Sequence, residues 1–142
     1  MYKRKMGLDY GDVRIGIAMS DLMGMIASTY ETYIRKGLDA DIQHLLDIIK
    51  LKDVDTIVIG LPVNMDGTHG TRVDKTKEFA QKLSELTPAK IVFIDERLTS
   101  KSAERILINA DVRREDRKLY IDKLSATIIL QDYLDRNKVS FN

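Results

Sequence analysis

The sequence contains no cysteine. This absence excludes disulfide bonds, thiolate catalysis, and zinc or iron–sulfur sites that use sulfur ligands. Tryptophan is also absent and there are only 3 phenylalanines, so a broad platform for stacking nucleic-acid bases is not expected. If the protein binds a nucleic acid, recognition must depend mainly on the shape and charge of the backbone.

Long apolar runs are missing as well, and none approaches the roughly 20 residues that a bilayer-spanning helix needs. The basic residues 1–5 are followed by Asp9 and Asp12 instead of the apolar stretch of a signal peptide. We therefore expect a cytoplasmic protein with no membrane partner. The net charge is only +1, so a polyanionic partner would have to be bound by a local basic patch.

The hydrophobic pattern predicts one α/β domain spanning 1–142. Residues 4–10 and 13–19 alternate as strands around a tight turn, and a third strand is expected at 25–34. Asp39 or Asp41 is expected to cap the following helix. The remaining predicted elements are strands at 56–60 and 90–94, a polar loop at 62–70, and helices at 71–86, 99–110 and 117–136. This order predicts a five-stranded mixed sheet, an antiparallel meander joined to parallel strands, with helices on both faces.

Acidic residues stand at three places where these elements could bring three carboxylates together. Asp9 ends the first strand, Asp95 and Glu96 follow the last strand, and Asp122 lies in the last helix. Hydrolysis of a phosphodiester is assisted by two divalent ions, and Mg²⁺ or Mn²⁺ prefers oxygen ligands. Taken singly, each residue has an ordinary structural explanation, such as a turn, a solvated helix position or a pair between Glu96 and a neighbouring basic residue. Only the three together indicate a metal-dependent active site.

Basic and amide side chains near these positions could hold a substrate. Arg97, Lys101 and Arg105 are spaced four apart, and the last two are expected to share a helix face beside the site. Arg14 is expected to reach the substrate or to neutralise Asp9, and the loop that begins at Asn64 either closes over the substrate or is an ordinary connection. A second basic cluster comprises Arg113, Arg114, Arg117 and Lys118. For both clusters, phosphate binding and simple solvation or pairing remain equal alternatives. His44 is expected to have no partner.

Four segments resemble the motifs of the YqgF family. They are Gly7-Leu8-Asp9-Tyr10-Gly11-Asp12-Val13-Arg14-Ile15-Gly16-Ile17-Ala18, then Gly60-Leu61-Pro62 with Asn64-Met65-Asp66-Gly67, then Asp95-Glu96-Arg97-Leu98-Thr99, and Asp122-Lys123-Leu124-Ser125-Ala126. The resemblance covers nearly the whole chain. It implies a ribonuclease H-like fold similar to that of the Holliday-junction resolvases, with Asp9, Glu96 and Asp122 as catalytic residues and ligands of Mg²⁺ or Mn²⁺. It also implies nuclease processing of the 5′ end of pre-16S ribosomal RNA, a step of ribosome biogenesis.

One departure from the resolvases of this fold concerns the fourth strand. Those proteins tend to carry an acidic residue at its end, whereas here it ends Ile59-Gly60-Leu61-Pro62. Glu96 would then have to supply that ligand. Asp95 is the weaker ligand candidate and is expected to hold Arg97 or a backbone group instead.

Three functions remain open on the sequence alone. The first is an endonuclease acting on structured RNA or branched DNA, with nucleic acid and ribosomal precursor particles as partners, working as a monomer or weak homodimer. The second is a nucleic-acid-binding module with a weak catalytic site, which the missing fourth-strand carboxylate favours. The third is a fragment of a sugar kinase or actin-like ATPase, because Asp9-Tyr10-Gly11 with Arg14 and Gly16 resembles their phosphate loop. Those ATPases need two lobes around the nucleotide, and this chain offers one.

Overall fold

The structure of the protein is a computed structural model. It describes residues 2–109, 113–116 and 124–137, without the side chains of residues 100–102, 104 and 114. The predicted site residue Asp122 lies outside the described residues, as do Arg117 and Lys118 of the second basic cluster. Lys101 belongs to a described helix, but its side chain does not belong to the described part.

Five strands form one sheet in the order β3-β2-β1-β4-β5. Their bounds are Arg4–Tyr10 for β1, Arg14–Ser20 for β2, Ala27–Ile34 for β3, Val54–Leu61 for β4 and Lys90–Asp95 for β5. The pairs β1–β2 and β2–β3 are antiparallel, whereas β1–β4 and β4–β5 are parallel. The predicted mixed sheet, an antiparallel meander joined to parallel strands, is therefore confirmed.

Four α-helices accompany the sheet in the described part of the chain. They are α1 (Leu38–Lys52), α2 (Thr71–Ser84), α3 (Ser100–Asn109) and α4 (Ser125–Arg136), and a one-turn 3-10 helix follows β5 at Glu96–Leu98. Within the described residues, no helix is both long and apolar enough to cross a membrane.

The prediction that an aspartate caps α1 is wrong. The helix begins at Leu38, and its N-cap residue is Gly37, which has no side chain. Asp41 lies inside the first turn instead, where its carboxylate accepts hydrogen bonds from the Lys36 amide and the Arg35 guanidinium. This side chain therefore joins the helix to the segment before it and does not satisfy the first amides of the helix.

Alternation along the strands sends side chains to two separate cores. Met6 and Leu8 of β1 pack with residues of α1 and α2 on one face of the sheet. The other face carries a smaller core, in which Ala18 and Val58 pack against α4. Because successive strand residues point to opposite faces, Gly7 and Asp9 both lie on the α4 side. The helix that covers the second core therefore also passes over the strand end that holds Asp9.

Gly7 allows α4 to approach the sheet closely. A Cβ atom at this position would lie 2.7 Å from both the Ala126 carbonyl oxygen and the Leu130 Cβ. Neither atom belongs to the flexible end of a side chain, so the helix as a whole would have to move. A glycine is therefore required on this face of β1.

We predict that Gly7→Ala lowers the free energy of unfolding by about 2 kcal/mol, the usual range for overpacking a core. Gly16→Ala is the matched control, since it adds the same methyl on the same sheet face at ordinary contact distances of 3.5 and 3.6 Å from Ala126 and Asp9. Urea unfolding of both variants measures the difference. Equal stability of the two variants would contradict this account of the packing.

Candidate active site

The structure brings two of the three predicted carboxylates into contact. Asp9 lies near the carboxyl end of β1, and Glu96 directly follows β5. These strands flank β4 in parallel, so their carboxyl ends meet at one edge of the sheet. There the side chains of Asp9 and Glu96 hydrogen-bond to each other. The third predicted residue, Asp122, is not among the described residues.

The environment of Glu96 disfavours its charged form. Burial is the largest cause, and the neighbouring Asp9 carboxylate is the second; together they raise the pKa of Glu96 to about 7. The Arg72 guanidinium acts in the opposite direction but does not cancel them. Near neutral pH, Glu96 can therefore hold a proton and donate a hydrogen bond to Asp9.

Gly60 provides the space in which the Glu96 side chain lies. A Cβ atom on Gly60 would come within 2.7 Å of Glu96 Oε1 and 3.0 Å of its Cγ. The glutamate thus extends back over the end of β4, where the sequence has no carboxylate of its own. This is the arrangement expected if Glu96 supplies the acidic group that β4 lacks.

Asp95 has a different role from that of Glu96. Its carboxylate accepts hydrogen bonds from the Arg97 amide, at 2.9 Å, and from Arg97 Nη2, at 2.6 Å. The side-chain bond from Arg97 is the largest reason that the pKa of Asp95 is lowered. The expectation that Asp95 holds Arg97 or a backbone group is confirmed, and the alternative pair of Arg97 with Glu96 is not formed in the described structure.

A buried ion pair holds the turn that follows Asp9. Asp41 is fully buried and receives a hydrogen bond of 2.9 Å from Arg35 Nε. Arg35 Nη1 also donates to the carbonyl oxygen of Gly11, and its guanidinium lies 4.6 Å from the centre of the Tyr10 ring. The strand end at Asp9 is therefore attached to the segment between β3 and α1.

A cleft of about 400 Å³ opens beside Glu96. Its lining residues are Pro62, Val63, Asn64, Met65, Gly70, Thr71, Arg72 and Glu96. The predicted substrate-binding residue Asn64 is thus adjacent to the carboxylates. Arg72, at the start of α2, was missed by the sequence analysis. Its position after the glycine that precedes a predicted helix was the available signal.

The loop between β4 and α2 has its own network of hydrogen bonds. Asn64 donates from its side chain to the Thr68 hydroxyl and from its amide to the Thr68 carbonyl oxygen. The Asp66 carboxylate accepts from the amide and the hydroxyl of Thr68. These bonds favour a fixed wall of the cleft over a loop that closes onto a substrate.

The other predicted binding residues lie at different distances from the pair. Arg14 is exposed and two residues before Gly16, which pairs with Asp9, so it shares the sheet face of that carboxylate. Arg105 instead donates to Asp135 of α4, at 3.0 Å. Asp135 follows Ala126 by nine residues, which is roughly 14 Å along a helix, so this arginine contacts the distal part of α4.

The expectation that His44 has no partner is wrong, since its Nε2 lies 2.6 Å from Glu31 Oε1 and its ring stacks on Tyr33. Among the side chains that the structure describes, no group of three or more histidine, aspartate or glutamate residues has the geometry of a metal site. Among the described residues, Asp9 and Glu96 therefore form a contact of two carboxylates without a third ligand group in the geometry of a metal site.

Comparison with known proteins agrees with the motifs. The family model RuvX, described as Holliday junction resolvase, matches residues 3–136. The chain belongs to this family. A relative from Syntrophomonas wolfei is 50% identical over 93% of this chain and 94% of its own length. One from Halalkalibacterium halodurans is 48% identical over 96% and 99%. Both relatives carry the name "Putative pre-16S rRNA nuclease". The family predicted from the four motifs, a family of nucleases, is thus confirmed.

Solved structures support the fold assignment independently. Thermus thermophilus RuvC in complex with a Holliday junction substrate matches with a TM-score of 0.63, covering 95% of each chain at 8% sequence identity. At so low an identity the match shows the fold alone. The predicted ribonuclease H-like fold is confirmed by it.

We predict that Glu96→Gln stabilises the metal-free protein at alkaline pH. The pKa of Glu96 is about 7 in the folded protein and returns to 4.5 on unfolding, so wild-type stability decreases as pH rises from 4.5 to 7. Glutamine stays neutral, so the variant does not lose stability in this pH range, and its side chain can still donate a hydrogen bond to Asp9. Well above pH 7 the variant should be more stable by about 3 kcal/mol, and the two curves should converge below pH 4.5.

Urea unfolding across pH in the presence of EDTA measures this difference. Glu85→Gln, the same chemical change at an exposed residue after α2, controls for the removal of one negative charge. If Glu96→Gln shows the same pH dependence as the wild type, Glu96 does not carry the raised pKa.

Proposed function

We propose that the protein is a metal-dependent endonuclease that hydrolyses phosphodiester bonds at Asp9, Glu96 and Asp122. The observation that carries this proposal is the direct contact between the Asp9 and Glu96 carboxylates at the carboxyl edge of the sheet. Two such groups repel each other when both are ionised, so the pair needs either a shared proton or a cation. Membership of a nuclease family favours the cation.

The donor set fits Mg²⁺ or Mn²⁺. Carboxylate oxygens are the ligands that these hard ions prefer, and the chain has no cysteine that would select a softer metal. Asp122 can join the pair, because Ala126 and Asp9 both lie within 3.6 Å of the position that a Gly16 Cβ would occupy, and four residues of chain span at most about 14 Å. A divalent ion held there supplies an activated water and offsets the negative charge that develops on the phosphate.

Three side chains of the protein would contribute to this site. Glu96 gives up its proton when a cation binds, so metal affinity should increase as pH rises towards and through 7. Arg72 lies on the cleft side of Glu96 and can hold a phosphate against the carboxylates. Arg97 is fixed by Asp95, which leaves it in a defined position beside the same turn.

For the substrate, we propose the 5′ region of the 16S ribosomal RNA precursor. Relatives of almost the same length that are named "Putative pre-16S rRNA nuclease" support the choice of this RNA, and the choice of its 5′ region follows from the resemblance to the YqgF family. The RuvX family description instead names the Holliday junction, a branched DNA.

The alternative of a binding module with a weak site arose from the missing β4 carboxylate. The position of Glu96 over Gly60 removes the main reason for that alternative.

We predict that Asp9→Asn abolishes cleavage, with at least about a hundredfold loss expected for a metal ligand, while the variant stays folded and still binds nucleic acid. Calorimetric titration with Mn²⁺ should show weaker metal binding by the variant, because one charged ligand is lost. Asp12→Asn is the matched control, three residues away, since its exposed carboxylate lies 3.6 Å from Lys75 Nζ. Cleavage by Asp9→Asn at the wild-type rate would end the proposal.

Two substrates compared in the same assay test the finer assignment. A 16S precursor with its 5′ extension and a four-way DNA junction are each incubated with wild-type protein and with Asp9→Asn, purified free of host nucleases. The proposal expects preferential cutting of the RNA by the wild type. Preferential cutting of the junction would contradict the RNA assignment while leaving the metal-dependent chemistry intact.

Gly60→Ala tests whether the space under Glu96 matters for activity. The added Cβ would meet Glu96 Oε1 at 2.7 Å and Ile129 Cδ1 at 2.5 Å, both at movable ends of side chains. We predict a small loss of stability but a loss of cleavage of about tenfold to a hundredfold, because a catalytic group is displaced. Full activity of Gly60→Ala would show that Glu96 need not lie over β4.

A further inference from the structure

The cleft beside Glu96 combines one charged wall with one apolar wall. Arg72 and Thr71 line it on the α2 side, whereas Pro62, Val63 and Met65 line it on the side of the loop after β4. Its volume of about 400 Å³ lies within the usual range for sites that enclose a small ligand. A ligand that fits both walls must carry an anionic group and an apolar ring or chain.

Arg72 is the cation in this cleft that can accept such an anionic group. Within the part of the chain that the structure describes, Arg97, Arg105 and Arg136 are engaged in ion pairs with aspartates, whereas the Arg72 guanidinium has no salt bridge. It does interact electrostatically with Glu96, so it lies close to the carboxylate pair. Arg72 lines the cleft, whereas Asp9 is not among the lining residues. A phosphate that Arg72 binds within the cleft, against the Glu96 side of the pair, would therefore be the neighbour of one held between Asp9 and Glu96.

Met65 provides the apolar contact. Its side chain is 88% exposed, more than any other large hydrophobic residue in the described chain. The hydrogen bonds among Asn64, Asp66 and Thr68 fix the loop that presents it. An exposed methionine on a fixed loop beside a phosphate-binding arginine matches a nucleotide, whose base or sugar offers an apolar face to a flexible thioether side chain.

We propose that this cleft is a nucleotide-binding subsite, in which Arg72 binds the phosphate adjacent to the one that is cleaved and Met65 packs against the attached nucleoside. Its role in positioning a substrate rests on the proposed nuclease function. Binding of a nucleotide in the cleft does not, because it requires neither a metal nor a cleavage event. These two contacts would bind the nucleic-acid strand without distinguishing one base from another.

The test uses the full chain in EDTA, with adenosine 5′-monophosphate, adenosine and inorganic phosphate as probes. Binding is followed by titration calorimetry and by chemical-shift changes in amide NMR spectra. The monophosphate should bind more tightly than either part alone, with shifts at residues 62–72. Arg72→Gln should weaken it about tenfold, the usual effect of losing one charge-assisted hydrogen bond. Met65→Ser should weaken the monophosphate but not inorganic phosphate.

Lys77→Gln is the matched control, since it removes a positive charge from the same helix at a residue that lines a separate surface groove with Ala80 and Gln81. With a single-stranded oligonucleotide in EDTA, Arg72→Gln should also reduce the salt dependence of log Kd by about 0.7, the contribution of one phosphate contact. Lys77→Gln should leave nucleotide affinity unchanged.

Two results would overturn the subsite. One is nucleotide affinity of Arg72→Gln equal to that of Lys77→Gln, and the other is inorganic phosphate binding as tightly as the monophosphate. Both measurements are made without metal, so they are independent of the cleavage assays on Asp9→Asn. If Asp9→Asn loses cleavage but Arg72→Gln keeps the wild-type nucleotide affinity, only the subsite is refuted. If Asp9→Asn keeps cleavage but Arg72→Gln loses nucleotide affinity, only the catalytic assignment is refuted.

Discussion

The contact between the Asp9 and Glu96 carboxylates is the constraint on which the rest of the site depends. Like charges at hydrogen-bond distance in a partly buried position are unfavourable unless one of them is protonated or a cation joins them. The strand order places β4 between β1 and β5, so Glu96 extends over the end of β4 to meet Asp9, and a side chain at position 60 would obstruct it. Gly60 removes that obstacle, and the sheet topology and the pair are therefore parts of one arrangement.

Small residues recur wherever another element approaches the face of the sheet that carries the pair. Gly7 admits the backbone of α4, Gly16 and Ala126 leave room around Asp9, and Gly60 admits Glu96. Each glycine weakens its strand because it packs no side chain and loses more conformational freedom on folding. This loss of strand stability occurs at the positions where α4 and Glu96 approach the end of β1. The opposite face, filled by Met6, Leu8 and Phe79, contributes the larger hydrophobic core.

Much of the fold was predictable because period-two alternation and short apolar runs directly reflect which strand faces are buried. The hydrophobic pattern alone could not distinguish Asp95 from Glu96, and the choice of Glu96 came from the family resemblance. The folded turn shows that Asp95 binds Arg97. Asp41 was misread as a cap because its partners, Arg35 and the Lys36 amide, precede the helix. Arg72 was missed because a fold of the chain over residues 62–70 brings it to Glu96. Such long-range encounters leave no local pattern.

Three close ion pairs among the described residues contrast with the pair of carboxylates at Asp9 and Glu96. Arg35 with Asp41, Arg97 with Asp95 and Lys5 with Asp55 are matched pairs at 2.6 to 2.9 Å, and each lowers the pKa of its aspartate. Glu96 faces another carboxylate, and Arg72 offsets only part of that effect, since the pKa of Glu96 remains at about 7. A carboxyl group whose pKa is shifted upwards lowers the stability of the folded protein above its ordinary pKa. Close pairing of these three aspartates, together with the unfavourable ionisation of Glu96 beside a cleft, gives this region the electrostatic character that is typical of active sites.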